Sequence, residues 1–193
     1  MKILRIDSSA RYKNSVSRQL TDELITQLKE QQTHAEVVVR DVAKGLPFVD
    51  EATVAAYNTP EEDRTETQKS LLALSDKLVA EIDSADIVVI GCPIYNFSPP
   101  ATLKAYIDLV ARVNLTFSYT SEGPKGLLKD RKTYLVITSG GTRVGSDIDF
   151  ASGYLKHFLS FIGITDVEIF AADSLSRTGS EKLAQVRQQI QNL

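Results

Sequence analysis

Two spacings of apolar residues alternate along this chain. Lys2-Ile-Leu-Arg-Ile-Asp7 has the length and composition of a short strand, and Val16, Leu20, Leu24 and Leu28 then recur every four residues, as on one face of a helix. Glu36-Val-Val-Val-Arg40 is a β-branched run, followed by Leu71, Leu74, Leu78 and Ile82 at helical spacing. Asp86–Gly91 and Thr133–Thr138 are near-continuous apolar runs, which predicts strands covered on both faces. Leu103, Tyr106, Ile107 and Val110 mark a helix between them. Tyr154, Leu155, Phe158, Leu159 and Ile162 mark another, with His157 expected on its inward face. Asp166–Ala171 reads as a last strand and Leu183, Val186 and Ile190 as a last helix.

Strand and helix patterns thus alternate five times, which predicts an α/β protein with an open parallel sheet and helices on both faces. Right-handed crossovers leave few topologies, and for five strands the flavodoxin-like order 2-1-3-4-5 is expected. Residues 1–193 read as one domain of this kind. A ligand would then lie beyond the carboxyl ends of strands 1 and 3, where the winding reverses. The loops after strands 1, 3 and 4 become the candidate site. Residues 41–65 and 114–131 form two connections longer than this architecture needs. They are expected to act as lids or interfaces, the second carrying Phe117 and Tyr119.

Composition narrows the function classes. The 193 residues are 42% hydrophobic and 24% charged, as in an ordinary globular protein. A net charge of −3 argues against a general nucleic-acid binder. The single cysteine, Cys92, rules out an intrachain disulfide and reads as a small core hydrophobe. Two histidines, His34 and His157, supply little material for a metal centre, and none is expected. No apolar run approaches the roughly 20 residues that span a bilayer. The opening residues enter a strand with no basic and apolar leader, so a cytoplasmic protein is expected.

The three loops carry matching chemistry. Ser8–Ser15 is rich in hydroxyls and ends at a predicted helix N-terminus, where unpaired N–H groups and the dipole favour an anion. With Ser17, this loop suits a dianionic phosphate, yet it has neither the glycine fingerprint of a dinucleotide fold nor the Gly-Lys-Ser/Thr of a P-loop. Cys92-Pro-Ile-Tyr-Asn-Phe-Ser-Pro-Pro100 is stiffened by three prolines and presents Tyr95, Asn96 and Phe97. Thr138-Ser-Gly-Gly-Thr142 offers close backbone approach at Gly140 and Gly141. A phosphate pocket, a stiff aromatic wall and a glycine edge together fit FMN better than a bare nucleotide.

Motifs along the whole chain then resemble one family. They are Ser8-Ser-Ala-Arg11, Asn14–Leu20, Pro93-Ile-Tyr-Asn-Phe97, Leu103–Arg112, Thr116-Phe-Ser-Tyr119, Glu122-Gly-Pro124, Thr138-Ser-Gly-Gly141 and Phe158–Asp166. In combination the chain is similar to the FMN-dependent NADH:quinone oxidoreductases and azoreductases of the flavodoxin-like superfamily. The resemblance implies that Ser9, Ser15, Val16 and Ser17 bind the FMN phosphate. It implies that Pro93, Ile94, Tyr95, Asn96 and Phe97 line the ring, with Ser139, Gly140, Gly141 and Thr142 completing the site. It also implies a homodimer whose sites borrow surface from the partner. NADH would reduce FMN, with NADPH as the other donor the residues admit. A quinone would then leave as a hydroquinone, or an aromatic azo compound as amines, in a ping-pong cycle. No protein nucleophile or clear general acid is expected, and Tyr119 and Arg143 are candidate substrate contacts. Two departures stand out: Ile94 replaces a frequent Met, and Ser139-Gly-Gly-Thr142 replaces Ser-Arg-Gly-Gly, which removes a cation and bears on substrate preference. An FMN-binding electron carrier or redox sensor without direct NADH turnover is the other reading the residues allow.

Overall fold

A computed structural model describes residues 1–32 and 34–193, with Thr178 described in its backbone only. Five parallel strands form the central sheet: β1 (Lys2–Asp7), β2 (Glu36–Asp41), β3 (Ile87–Pro93), β6 (Lys132–Thr138) and β7 (Val167–Ala172). Their order is β2-β1-β3-β6-β7, the expected 2-1-3-4-5. β3 pairs with β6 from Ile87↔Lys132 to Pro93↔Thr138, and with β1 from Ile3↔Ile87 to Asp7↔Gly91. The winding reverses between β1 and β3.

Side chains alternate across each strand, so adjacent residues enter opposite layers. Ile3 and Val89 pack with Leu20 and Leu24 of α1 (Val16–Gln31) and Val186 and Ile190 of α6 (Leu175–Gln191). Leu4 and Val88 face the other way. They join α3 (Glu66–Asp83), α4 (Ala101–Val110) and α5 (Ser152–Ile162) through Leu78, Leu103 and Leu155. Apolar burial on both faces is the main force holding the sheet.

Four details differ from the sequence pattern. The 41–65 connection contains an eight-residue helix, α2 (Glu51–Asn58), between two 3₁₀ turns. Asp50 caps it by accepting from the Thr53 N–H at 2.8 Å. Only Thr53 and Ala56 of α2 are buried, so no leucine-type repeat announces it. The 114–131 connection contains an antiparallel hairpin, β4 (Phe117–Thr120) with β5 (Gly123–Gly126). On α3 the buried face runs through Leu72, Ser75, Leu78, Val79 and Ile82, while Leu71 is 41% exposed. The run Leu71-Leu-Ala-Leu74 hides the phase, and Ser75 holds an inward position by donating to the Leu109 carbonyl at 2.5 Å. On α5, Leu155, Phe158 and Leu159 turn inward and His157 is exposed, because it falls on the solvent side of that stripe.

Two arginines fasten the crossovers. Arg131 donates to the Ile82, Asp83 and Ala85 carbonyls and so ends α3. Arg112 is buried, donates to Ser75 Oγ at 2.6 Å and lies over the Tyr57 ring, 4.4 Å from its centroid. The hairpin closes on α5 where Gly126 meets Gly163. A Cβ added at Gly126 would stand 2.2 Å from the Gly163 nitrogen. Among the described residues no helix is long and apolar enough to cross a membrane.

Candidate functional site

A cleft of about 440 Å³ opens at the carboxyl ends of β1, β3 and β6. Ser9, Ser15, Val16, Ser17, Pro93, Ile94, Tyr95, Ser139 and Gly140 line it, all anticipated from the sequence. Its volume lies within the range of small-molecule sites.

One pole is built for an anion. Ser15 is the N-cap of α1, and its Oγ accepts from the Arg18 N–H at 3.4 Å. The same Oγ donates to Ser9 Oγ at 2.9 Å and lies 3.3 Å from Ser17 Oγ. All three hydroxyls are buried. Asn14 enters this corner in the left-handed region, φ +57°, which asparagine tolerates. The first-turn N–H groups of α1 face the end of their own helix without intrahelical acceptors. Arg11 also lines the cleft, and among the described residues the lining contains no carboxylate, imidazole or thiol. Ser8, by contrast, belongs to the scaffold, since its Oγ donates to the Gly91 carbonyl at 2.7 Å.

The second wall is a two-residue reverse turn. Tyr95 N–H donates to the Ser98 carbonyl at 3.0 Å and Ser98 N–H to the Tyr95 carbonyl at 3.1 Å. Asn96 and Phe97 at its tip have φ of +48° and +70°. This is the type I′ geometry, for which asparagine is suited and phenylalanine is strained. The Phe150 N–H holds the turn by donating to the Phe97 carbonyl at 3.0 Å. Tyr95 OH reaches across the cleft to the Ala10 N–H at 3.3 Å and lies 3.4 Å from Ser9 Oγ, so the two walls touch.

The third wall is the glycine edge. Leu175 N–H donates to the Ser139 carbonyl at 3.1 Å and Ser176 N–H to the Gly140 carbonyl at 2.9 Å. A trans peptide sets its C=O and N–H antiparallel, so the Gly140 and Gly141 N–H groups point away from α6. A Cβ at Gly140 would stand 3.1 Å from Ser176 Oγ, which makes this a close approach. Ser139 Oγ donates to the Thr142 carbonyl and folds the loop on itself.

Other site candidates are placed differently. Asn96 and Phe97 stand at the turn tip, exposed, while Gly141 and Thr142 lie outside the lining. Arg143 lines a separate depression of about 290 Å³ with Asp173, Ser174, Glu181, Lys182 and Gln185. Tyr119 sits on the hairpin beside Phe117, 5.5 Å between centroids and 73% exposed, and does not line the cleft of its own chain. Arg11, Asn14 and Thr138 line the cleft from within the anticipated loops without having been singled out, and Leu175 and Ser176 line it from outside those loops. Leu175 and Ser176 open α6 just beyond β7, so the fourth strand end contributes as well as the first three.

Beneath the anion pole lies a charged scaffold. Arg18 pairs with Asp41 at 2.8 Å and with Asp7 at 3.5 Å. Burial opposes the Arg18 charge, but the Asp41 hydrogen bond together with the nearby Asp41 and Asp7 charges outweighs it and raises the guanidinium above its ordinary value. Burial likewise opposes the Asp41 charge, and Arg18 overcomes it to lower that carboxyl. Asp7 is raised by burial despite Arg5 and Arg18, and its Oδ1 has no hydrogen-bond partner among the described residues. Cys92 ends up fully buried in β3, and burial pushes its thiol far up, as befits a core hydrophobe.

The donor set fits a phosphomonoester at one pole and a flat ring with polar edge atoms between Tyr95 and Gly140. FMN has that shape. A family model described as the flavodoxin-like fold matches residues 1–193, and the chain belongs to that family. It is 51% identical over 189 residues to the FMN-dependent NADH:quinone oxidoreductase 1 of Hahella chejuensis (strain KCTC 2396), covering 98% of this chain and 93% of that protein. It is 48% identical over 193 residues to the FMN-dependent NADH:quinone oxidoreductase 1 of Colwellia psychrerythraea (strain 34H / ATCC BAA-681), covering all of both. The crystal structure of azoreductase from Bacillus anthracis str. Sterne superposes with a TM-score of 0.91 at 28% identity, over 100% of this chain and 97% of that one.

Proposed function

We propose that this chain binds FMN in the cleft and is an FMN-dependent NADH:quinone oxidoreductase that also cleaves aromatic azo compounds. The observation that carries the proposal is the junction of three walls at the strand-order reversal, with buried hydroxyls at one pole and a glycine edge at the other. The names of relatives at about half identity support the same reading. FMN, when bound, supplies the two-electron chemistry, and the protein supplies binding, orientation and electrostatics.

Each wall has a role in this reading. Ser9, Ser15, Val16 and Ser17 hold the phosphate through hydroxyl and backbone donors, where charge-assisted bonds are the strong ones. Pro93, Ile94 and Tyr95 form the stiff side of the ring site, and Asn96 and Phe97 extend it at the rim. Gly140 and Gly141 present N–H groups that stabilise negative charge at the ring edge, with Ser139 and Thr142 holding their loop in shape. In this reading protons for the products come from water. Quinones leave as hydroquinones, and azo compounds as amines.

A homodimer and a cytoplasmic location are part of the proposal. Phe97, Ile148 and Phe150 are each about half exposed or more, a surface suited to a second copy. Tyr119 would meet substrate from that second copy, and Arg143 would meet the outer part of a bound donor or acceptor. The test is anaerobic visible spectroscopy of the purified protein with sedimentation analysis. The expected result is a flavin spectrum bleached by NADH, restored by a quinone, in a particle of two chains. Bound flavin that NADH leaves oxidised would refute the enzyme and favour a carrier.

A further inference from the structure

We infer that Arg18 is a positioning residue for the cofactor's phosphate: its guanidinium clasps the Ser9–Arg11 segment from outside the cleft and sets the direction in which that segment's amides point. The inference rests on the FMN reading above.

The guanidinium lies behind the loop and makes contacts on several sides. One Nη2 donates to the Ser9 carbonyl at 2.8 Å and Nε to the Arg11 carbonyl at 3.2 Å. Nη2 also donates to Asp41 Oδ1 at 2.8 Å, and Nη1 lies 3.5 Å from Asp7 Oδ2. The Tyr12 ring covers it, 4.5 Å from the ring centroid. Asp41 closes β2 and Asp7 closes β1, so the clasp is bolted to two strand ends. Two carboxylates answer its charge, and Arg18 is not among the residues lining the cleft. Its charge is therefore already matched, and its contribution is geometric.

Peptide planarity carries the geometry across the loop. A trans peptide points its C=O and its N–H in opposite directions. Fixing the Ser9 carbonyl on Arg18 turns the Ala10 N–H the other way, and that N–H is found donating to Tyr95 OH at 3.3 Å. Fixing the Arg11 carbonyl turns the Tyr12 N–H by the same rule. Arg11 N–H meanwhile donates to Ser9 Oγ at 3.2 Å, the hydroxyl that accepts from Ser15. One guanidinium thus orders the amides of the loop, the serine cluster and the contact to the ring wall. Lysine carries the charge without the fork, and it cannot hold two carbonyls and a carboxylate in one plane.

The test compares Arg18→Met and Arg18→Lys with the unaltered full-length chain, titrating each with FMN and with riboflavin by flavin fluorescence. Riboflavin lacks the phosphate. The expected result is an FMN Kd raised about tenfold to a hundredfold in both variants, with the riboflavin Kd moved much less. Hydrogen exchange at residues 10–14 should accelerate in both. Equal losses for the two flavins would overturn the inference and indicate general destabilisation. Full recovery of FMN affinity in Arg18→Lys would overturn it too, in favour of simple charge attraction. If either variant fails to fold, Asp41→Asn weakens the same clasp from behind and should shift the FMN-to-riboflavin ratio in the same direction; an unchanged ratio there counts against the clasp. Failure of the unaltered chain to bind FMN would instead remove the functional reading itself.

Discussion

Replacing Ser15 by alanine separates the two roles of one buried hydroxyl. In the chain without flavin it caps α1, at the long distance of 3.4 Å from the Arg18 N–H. A cap of that length belongs in the lower part of the known range, about 0.5–1 kcal/mol. For a chain of this size the loss lowers Tm by about 1–4 °C. In the complex the hydroxyl would turn its one proton from Ser9 Oγ to a phosphate oxygen while still accepting from the Arg18 N–H. A hydrogen bond to a charged group is worth about 1.5–3 kcal/mol, which corresponds to an FMN Kd raised about tenfold to a hundredfold. Riboflavin should bind Ser15→Ala nearly as well as it binds the unaltered chain. Calorimetry of the flavin-free protein reads the first term, and parallel titrations with FMN and riboflavin read the second. A lowered Tm with an FMN Kd within about threefold of the original would refute the phosphate role of this cluster while leaving the cap intact.

Three further outcomes follow from single contacts. Phe97 stands at φ +70°, where a non-glycine residue is strained by about 1–2 kcal/mol against an entropic cost of about 0.5–1 kcal/mol for glycine; Phe97→Gly should therefore raise Tm slightly and lower kcat/KM with quinones, and a lowered Tm would show that the ring is held by packing. Gly126→Ala forces a methyl group onto the Gly163 backbone and should cost on the order of 3 kcal/mol, checked by denaturant melting, with an unchanged midpoint contradicting the close approach. Asp130 accepts from the Thr165 and Asp166 N–H groups at 2.7 and 3.1 Å, and the Thr165 hydroxyl and backbone bonds bring its pKa down to about 2. Its folded value is below its unfolded one, so its stabilisation is complete above the unfolded value and fades as pH falls through about 2. Asp130→Ala should lower Tm near neutrality and flatten the fall in Tm under acid, and an unaltered acid slope would contradict the assignment.

The sheet was legible because its inner strands β3 and β6 are buried on both faces and read as near-continuous apolar runs such as Ile87–Ile90. Order followed from handedness, and the site followed from order. What escaped the pattern was structure held by something other than an apolar stripe. α2 rests on the Asp50 cap and on contacts with α3, and its signal was the Asp50-to-Thr53 spacing. The hairpin Phe117–Gly126 rests on glycine contact with α5. Ser75 sits inward on α3 because a carbonyl of α4 accepts its proton, which shifts the apolar face from Leu71 to Leu72. In the cleft, Ser15, Ser17, Tyr95 and Gly140 were found through residue type at a helix start or a strand end, and Ser9 through the family resemblance. Leu175 and Ser176 were not, because their part depends on β7 bringing the start of α6 beside Gly140.

The central claim is that the cleft between the Ser9–Ser17 hydroxyls and Gly140 holds FMN. Equilibrium titration of the flavin-free chain, read by quenching of flavin fluorescence, tests it most directly. The account predicts saturation at one FMN per chain, with riboflavin binding far more weakly. A folded chain that leaves FMN fluorescence unquenched, or that takes up riboflavin and FMN equally well, would contradict it.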